Sequence, residues 1–275
     1  MKKIIALMFT PALIALVSCG EPEDQNKPKD IEFTSDSINY QAQINIDLIT
    51  VNFPSPTALG KKFKGAGISF VSGVLNPAGK SYGTKGQQAI ALGAYGADLG
   101  FSCAFNQNQE ANNYLMSIGK LSNELGVGSA FDMEFSKSLI ESLGKADTQD
   151  VMIDKAFQKA ERHMRSNERM QYAGLMAIGG WIEGLYAACE MVYPKKDEPA
   201  TKPVYKEIWN YVTAYKYVKN LLEEYKANPD YQAIATEFAP LEGAFKAAAD
   251  KNEFSAKNLD GLRTAIQTLR GKVIK

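Results

Sequence analysis

Apolar residues recur every three to four positions through most of this chain, the period of an amphipathic helix. From about residue 84 onward the pattern predicts helices near 84–106, 108–125, 130–143, 149–165, 168–193, 203–227, 231–249 and 256–272. Gly126 and Gly144 stand where C-caps belong. Ser129, Thr148, Asn167 and Asp230 stand where N-caps belong. Pro194 and Pro199 break the chain before Pro203 opens the next helix. Short connections make successive helices antiparallel neighbours, and no fixed repeat period supports a solenoid. One stretch departs from the period. Ile38, Tyr40, Ala42, Ile44, Ile46 and Leu48 alternate with Asn39, Gln41, Gln43, Asn45 and Asp47. Period two predicts a strand with one buried face. It would pair with the apolar run 68–75 or lie extended across helices, since a lone strand cannot satisfy its backbone. Phe53-Pro54-Ser55-Pro56 ends it and opens a short helix over 56–64. The expected fold is all-α, an irregular antiparallel bundle of about eight helices, with a short extended or strand segment near residues 38–53.

Two of these helices carry stripes of small residues. Ala89, Gly93, Gly96, Gly100 and Cys103 lie along 84–106, and Ala173, Ala177, Gly180, Gly184 and Ala187 along 168–193. Glycine inside a helix costs about 0.5–1 kcal/mol relative to alanine. Close approach of another backbone offsets that cost through dispersion contact, so the two helices are expected to pack together at short distance. Asp98, Glu183 and Glu190 interrupt them and argue against membrane spans.

The start of the chain reads differently. Lys2 and Lys3 precede an apolar run over 4–17, which ends in Leu16-Val17-Ser18-Cys19. That is a secretory signal by its charge, length and small closing residues. The run is too short for a stable span, which takes roughly 20 residues. Leu-x-Ser-Cys resembles a bacterial lipobox, which implies lipidation of Cys19 and removal of residues 1–18. Residues 19–37 then form the lipidated cysteine and a polar tether, too poor in apolar groups to offset the entropy of ordering. Its acidic opening, Glu21, Glu23 and Asp24, also resembles a surface-export signal of Bacteroidetes lipoproteins. The remainder, 38–275, is expected to be a single helical domain.

Charge and cysteine usage narrow the classes. The chain has 31 basic and 31 acidic residues; loss of Lys2 and Lys3 leaves 29 against 31, a net −2. Such a chain has no electrostatic footprint for nucleic acid and no polybasic patch for anionic lipid. Beyond the inner membrane a Cys103–Cys189 disulfide is permitted, but both fall on apolar helix faces, which favours buried thiols.

Phe53-Pro54-Ser55-Pro56, Leu75-Asn76-Pro77, the run 92–100 and Gly179-Gly180-Trp181-Ile182-Glu183-Gly184-Leu185-Tyr186 together resemble a group of Bacteroidetes envelope lipoproteins without an established activity. The resemblance covers roughly residues 50–275. It implies an address and a fold, and no reaction.

Candidate chemistry is sparse. Gly79-Lys80-Ser81-Tyr82-Gly83 has the letters of a nucleophile elbow, but the strand–turn–helix setting is missing and His163 is the only histidine. Gly73 and Gly79-Lys80-Ser81 leave five intervening residues where a phosphate loop needs four. No zinc or di-iron spacing occurs, and no cofactor motif is present. Asp98 and Glu183 are acids inside nearly all-apolar helices; with Tyr95, Trp181 and Tyr186 they form the candidate ligand or polar site. A buried acid must be paired or hydrogen-bonded, or its pKa rises. The alternative is a solvated edge or a structural tie. Tyr205, Trp209 and Tyr217 are candidates for an exposed aromatic face that stacks on a glycan or anchors a partner. The leading expectation is a lipid-anchored module of the outer membrane, without catalysis, that binds an envelope or surface protein or a ligand. The alternative is a small-molecule binder or enzyme with a pocket around Asp98 and Glu183.

Overall fold

Every regular element among the described residues is helical, so the chain is all-α. The computed structural model describes residues 35–52, 55–142, 145–250 and 254–274. The leader, Cys19, most of the tether and Gly144 lie outside them. In order the helices are α1 (Ser35–Asn52), α2 (Pro56–Gly65), α3 (Lys85–Ala104), α4 (Asn108–Glu124), α5 (Met133–Glu141) and α6 (Ala146–Ser166). They continue as α7 (Met170–Val192), α8 (Lys202–Thr213), α9 (Tyr215–Glu224), α10 (Pro229–Phe238), α11 (Glu242–Ala249) and α12 (Ala256–Val273). Thr34–Lys275 cluster as one compact unit.

The expected strand near 38–53 is instead α1, whose first turn also takes up the tether positions Ser35 and Ser37. Its buried positions are Ala42, Asn45, Ile46 and Ile49, spaced three and four apart, while Tyr40 stands 68% exposed. The alternation misleads because a polar residue occupies the inward stripe. The Asn45 side-chain amide donates to Glu224 on α9 at 2.6 Å, and its oxygen accepts from Asn220 at 3.2 Å. Run 68–75 is no strand partner either; it carries a short 3-10 turn, Ser72–Val74.

Helix ends follow the residue that stays extended just before the first turn. Thr84, Ser55 and Asp132 each accept a backbone N–H three residues on. Asp132, not Ser129, therefore caps the helix expected from residue 130, and Gly128–Ala130 is a 3-10 turn. Asn228 rather than Asp230 caps α10, because Pro229 takes the first helical position. Lys145, not Thr148, precedes α6, and Asn167 follows its end. Gly126 closes α4 with φ +72°. The expected helix 203–227 divides at Ala214. The expected helix 231–249 divides at a 3-10 turn, Ala239–Leu241, where Pro240 lacks the N–H that a continuous helix needs.

Helices α3 and α7 form the centre and pack backbone to backbone. A Cβ on Gly93 would lie 1.9 Å from the Met176 carbonyl oxygen, and one on Gly179 would lie 2.1 Å from that of Ile90. Gly180 faces Gly93 across the same crossing, and three other glycines of the stripes serve other neighbours. Gly96 seats the Phe157 ring of α6, Gly100 seats Pro56 and Thr57 of α2, and Gly184 seats Tyr211 of α8. Segment Met170–Lys195 is long and apolar enough to cross a membrane, with an 18-residue window of mean hydropathy 1.2, yet 83% of that window is buried inside the fold. That is the signature of a core helix hydrophobic all round.

Candidate functional site

Asp98 on α3 and Glu183 on α7 meet in the core, both with 0% of their surface exposed. Each carboxyl shifts the titration of the other, and two buried acids side by side cannot both stay charged, so one carries a proton. Asp98 is the one. Burial, then the neighbouring Glu183 charge, raise it well above the usual carboxylate range, against Arg270 and the Asn76 backbone N–H. That N–H donates to Asp98 Oδ2 at 3.2 Å. Oδ1 has no hydrogen-bond partner; a proton on the Asp98 carboxyl spares the fold a bare buried charge there. Burial raises Glu183 as well, opposed by Arg270 and by Asp98. Arg270 of α12 holds Glu183 in a two-pronged ion pair, Nε to Oε2 and Nη2 to Oε1, each at 3.0 Å. Its guanidinium lies over the Tyr186 ring, 4.5 Å from the centroid.

The connector after Pro77 closes over this pair. The Tyr114 hydroxyl donates to the Asn76 carbonyl at 2.8 Å, and the Tyr95 hydroxyl donates to the Pro77 carbonyl at 3.0 Å. Lys80 Nζ reaches Asn76 Oδ1 at 3.2 Å, and Tyr82 donates to the Tyr95 hydroxyl at 3.3 Å. The Gly79–Gly83 motif is thus part of a lid of loop, in which Ser81 accepts from Lys120. Asp98 and Glu183 do not line the three best-formed cavities among the described residues. The arrangement is a tie between α3, α7, α12 and a loop.

The structure brings Tyr95, Asp98, Glu183 and Tyr186 into one network and leaves Trp181 out of it. Trp181 Nε1 donates to the Tyr211 carbonyl at 2.8 Å, and its ring packs on Phe238 and Phe245. The aromatic face expected from α8 and α9 is mostly inward: Tyr205 is buried, and Trp209 and Tyr217 pack half-buried against the core. Cys103 and Cys189 are buried free thiols, and burial pushes Cys103 up to about 12, far from a working nucleophile.

A second feature has no local sign in the sequence. Between α1, α3, α6 and α7 lies a groove of about 280 Å³. Gly93, Gly96, Ala97 and Gly180 form part of its floor, and Ile46, Ile153, Phe157 and Met176 line it. Two carboxyls from α6, Asp154 and Glu161, stand along it. Asp154 is exposed at the groove's edge, and partial desolvation with the neighbouring Asp150 raises it to about 6. Burial also raises Glu161, against the ion pair it makes with Arg165. Asp150 itself accepts a hydrogen bond from Ser55.

The chain matches no protein-family model, no curated protein and no solved structure.

Proposed function

We propose that this chain is a lipid-anchored envelope lipoprotein acting as a binding or scaffold module without catalysis, with the groove between α1, α3, α6 and α7 as its binding face. The observation that carries the reading is the groove: preformed, apolar in its walls, with a few polar groups at fixed places, as ligand sites are. Its volume suits a small ligand or one apolar side chain of a partner. The address rests on Leu16-Val17-Ser18-Cys19, the basic start and the polar stretch that follows. The acid pair belongs to the framework of the module, because two fully buried carboxyls tied to Arg270 offer no open face.

Val51 stands 80% exposed at the groove, which makes it the position for a photo-crosslinking residue in intact cells. The expected result is an adduct of defined mass that disappears when Ala177→Leu fills the floor. Cys19→Ala is expected to move the chain out of the membrane fraction. A Cys19→Ala chain that still fractionates with membranes as the parent does removes the anchor from this reading; an adduct indifferent to Ala177→Leu removes the groove.

A further inference from the structure

We propose that the groove takes a small cationic amphiphile, an ammonium group on an apolar body the size of a single ring or short alkyl chain. The inference rests on the groove being the binding face. Size is the first argument: about 280 Å³ lies just under the usual range of roughly 300–1,000 Å³ for ligand sites, so the occupant is small. Lining is the second. Ile46, Ile153, Phe157 and Met176 favour an apolar body.

Charge is the third argument and selects the head group. Asp154 and Glu161 are the charged residues that line the groove, and neither lysine, arginine nor histidine joins them there. Glu161 is already engaged by Arg165, which Asp47 holds from α1. Asp154 is therefore the carboxyl available to an incoming cation, and Asp150, one turn earlier on α6, adds to the negative field. Asp154 and Phe157 are three residues apart on α6, so a carboxylate and an aromatic ring flank the same space. An ammonium ion there gains both an ion pair and a cation–π contact. An anion of the same shape meets two acids and is rejected.

The test titrates the purified full chain with phenethylamine, phenethyl alcohol and hydrocinnamate, three probes that share a ring and differ in head group, by calorimetry. The amine is expected to bind about tenfold or more tightly than the alcohol, with hydrocinnamate weakest. Asp154→Asn is expected to bring the amine down to the level of the alcohol and leave the alcohol unchanged. Added salt is expected to weaken the amine alone. Equal binding of amine and alcohol, or an amine affinity indifferent to Asp154→Asn, overturns the cation and leaves the groove reading standing. Absence of binding by all three overturns the cation inference and counts against the groove as a small-ligand site as well.

Discussion

Arg270 keeps 18% of its side chain in water while its partner Glu183 keeps none, and that asymmetry sets what each substitution does. Arg270→Ala leaves a fully buried carboxylate without a counter-ion, a change of about 3–5 kcal/mol, measurable by urea unfolding. Glu183→Gln strands only an arginine that can turn to solvent, and is expected to cost less. Asp98 acts through its proton. In the unfolded chain it ionises near about 3.9, whereas in the fold burial and Glu183 hold the proton to higher pH. Its contribution is full below the unfolded value and is lost as pH rises toward the folded one. Asp98→Asn keeps a donor toward Glu183 that needs no proton. The variant is therefore expected to gain on the parent in melting temperature as pH rises above about 4; a difference that stays constant with pH refutes the assignment. Asp98 and Glu183 were legible as acids that need partners because each interrupts an apolar helix. Arg270 was not, since it lies 87 positions from Glu183 and no spacing links them. Trp181 was grouped with Glu183 by proximity in sequence, although residues two apart on a helix face different ways.

Secondary structure follows period wherever the inward stripe is apolar, which is why α3, α4, α6, α7 and α12 fall close to where the sequence puts them. α1 shows the limit. With Asn45 turned inward to Glu224, the remaining apolar residues mimic a strand. The two readings separate by mutation. A strand buries Tyr40, Ile44 and Ile46 alike; the helix buries Ile46 and exposes Tyr40. Ile46→Ala is expected to cost about 2–5 kcal/mol and Tyr40→Ala less than about 0.5 kcal/mol, by chemical denaturation. The α3–α7 crossing gives a second pair. Gly93→Ala drives a methyl group into the Met176 carbonyl and is expected to cost about 3 kcal/mol or more. At Gly180 the nearest atom to an added Cβ is 3.4 Å away, so Gly180→Ala is expected to be nearly neutral, since the contact is ordinary and alanine favours the helix by about 1 kcal/mol.

At the scale of the whole molecule, the ties run between segments far apart in the chain. Asn45 joins Glu224 across 179 positions, Ser55 joins Asp150 across 95, and Arg270 joins Glu183 across 87. The groove has the same character: its walls come from α1, the start of α2, α3, α6 and α7, positions up to 134 apart in the chain, from Ile46 to Gly180, so no local motif announces it. All-α folds usually assemble from local contacts; this one is closed by distant ones. The clearest consequence concerns the order in which the chain is made. A nascent polypeptide that has reached α11 already contains both acids, yet the arginine that pairs with Glu183 has not been synthesised. Until it arrives, docking α3 on α7 with Glu183 charged means desolvating an uncompensated carboxylate. The centre of the fold, although built from the middle of the sequence, therefore waits for one of its last helices.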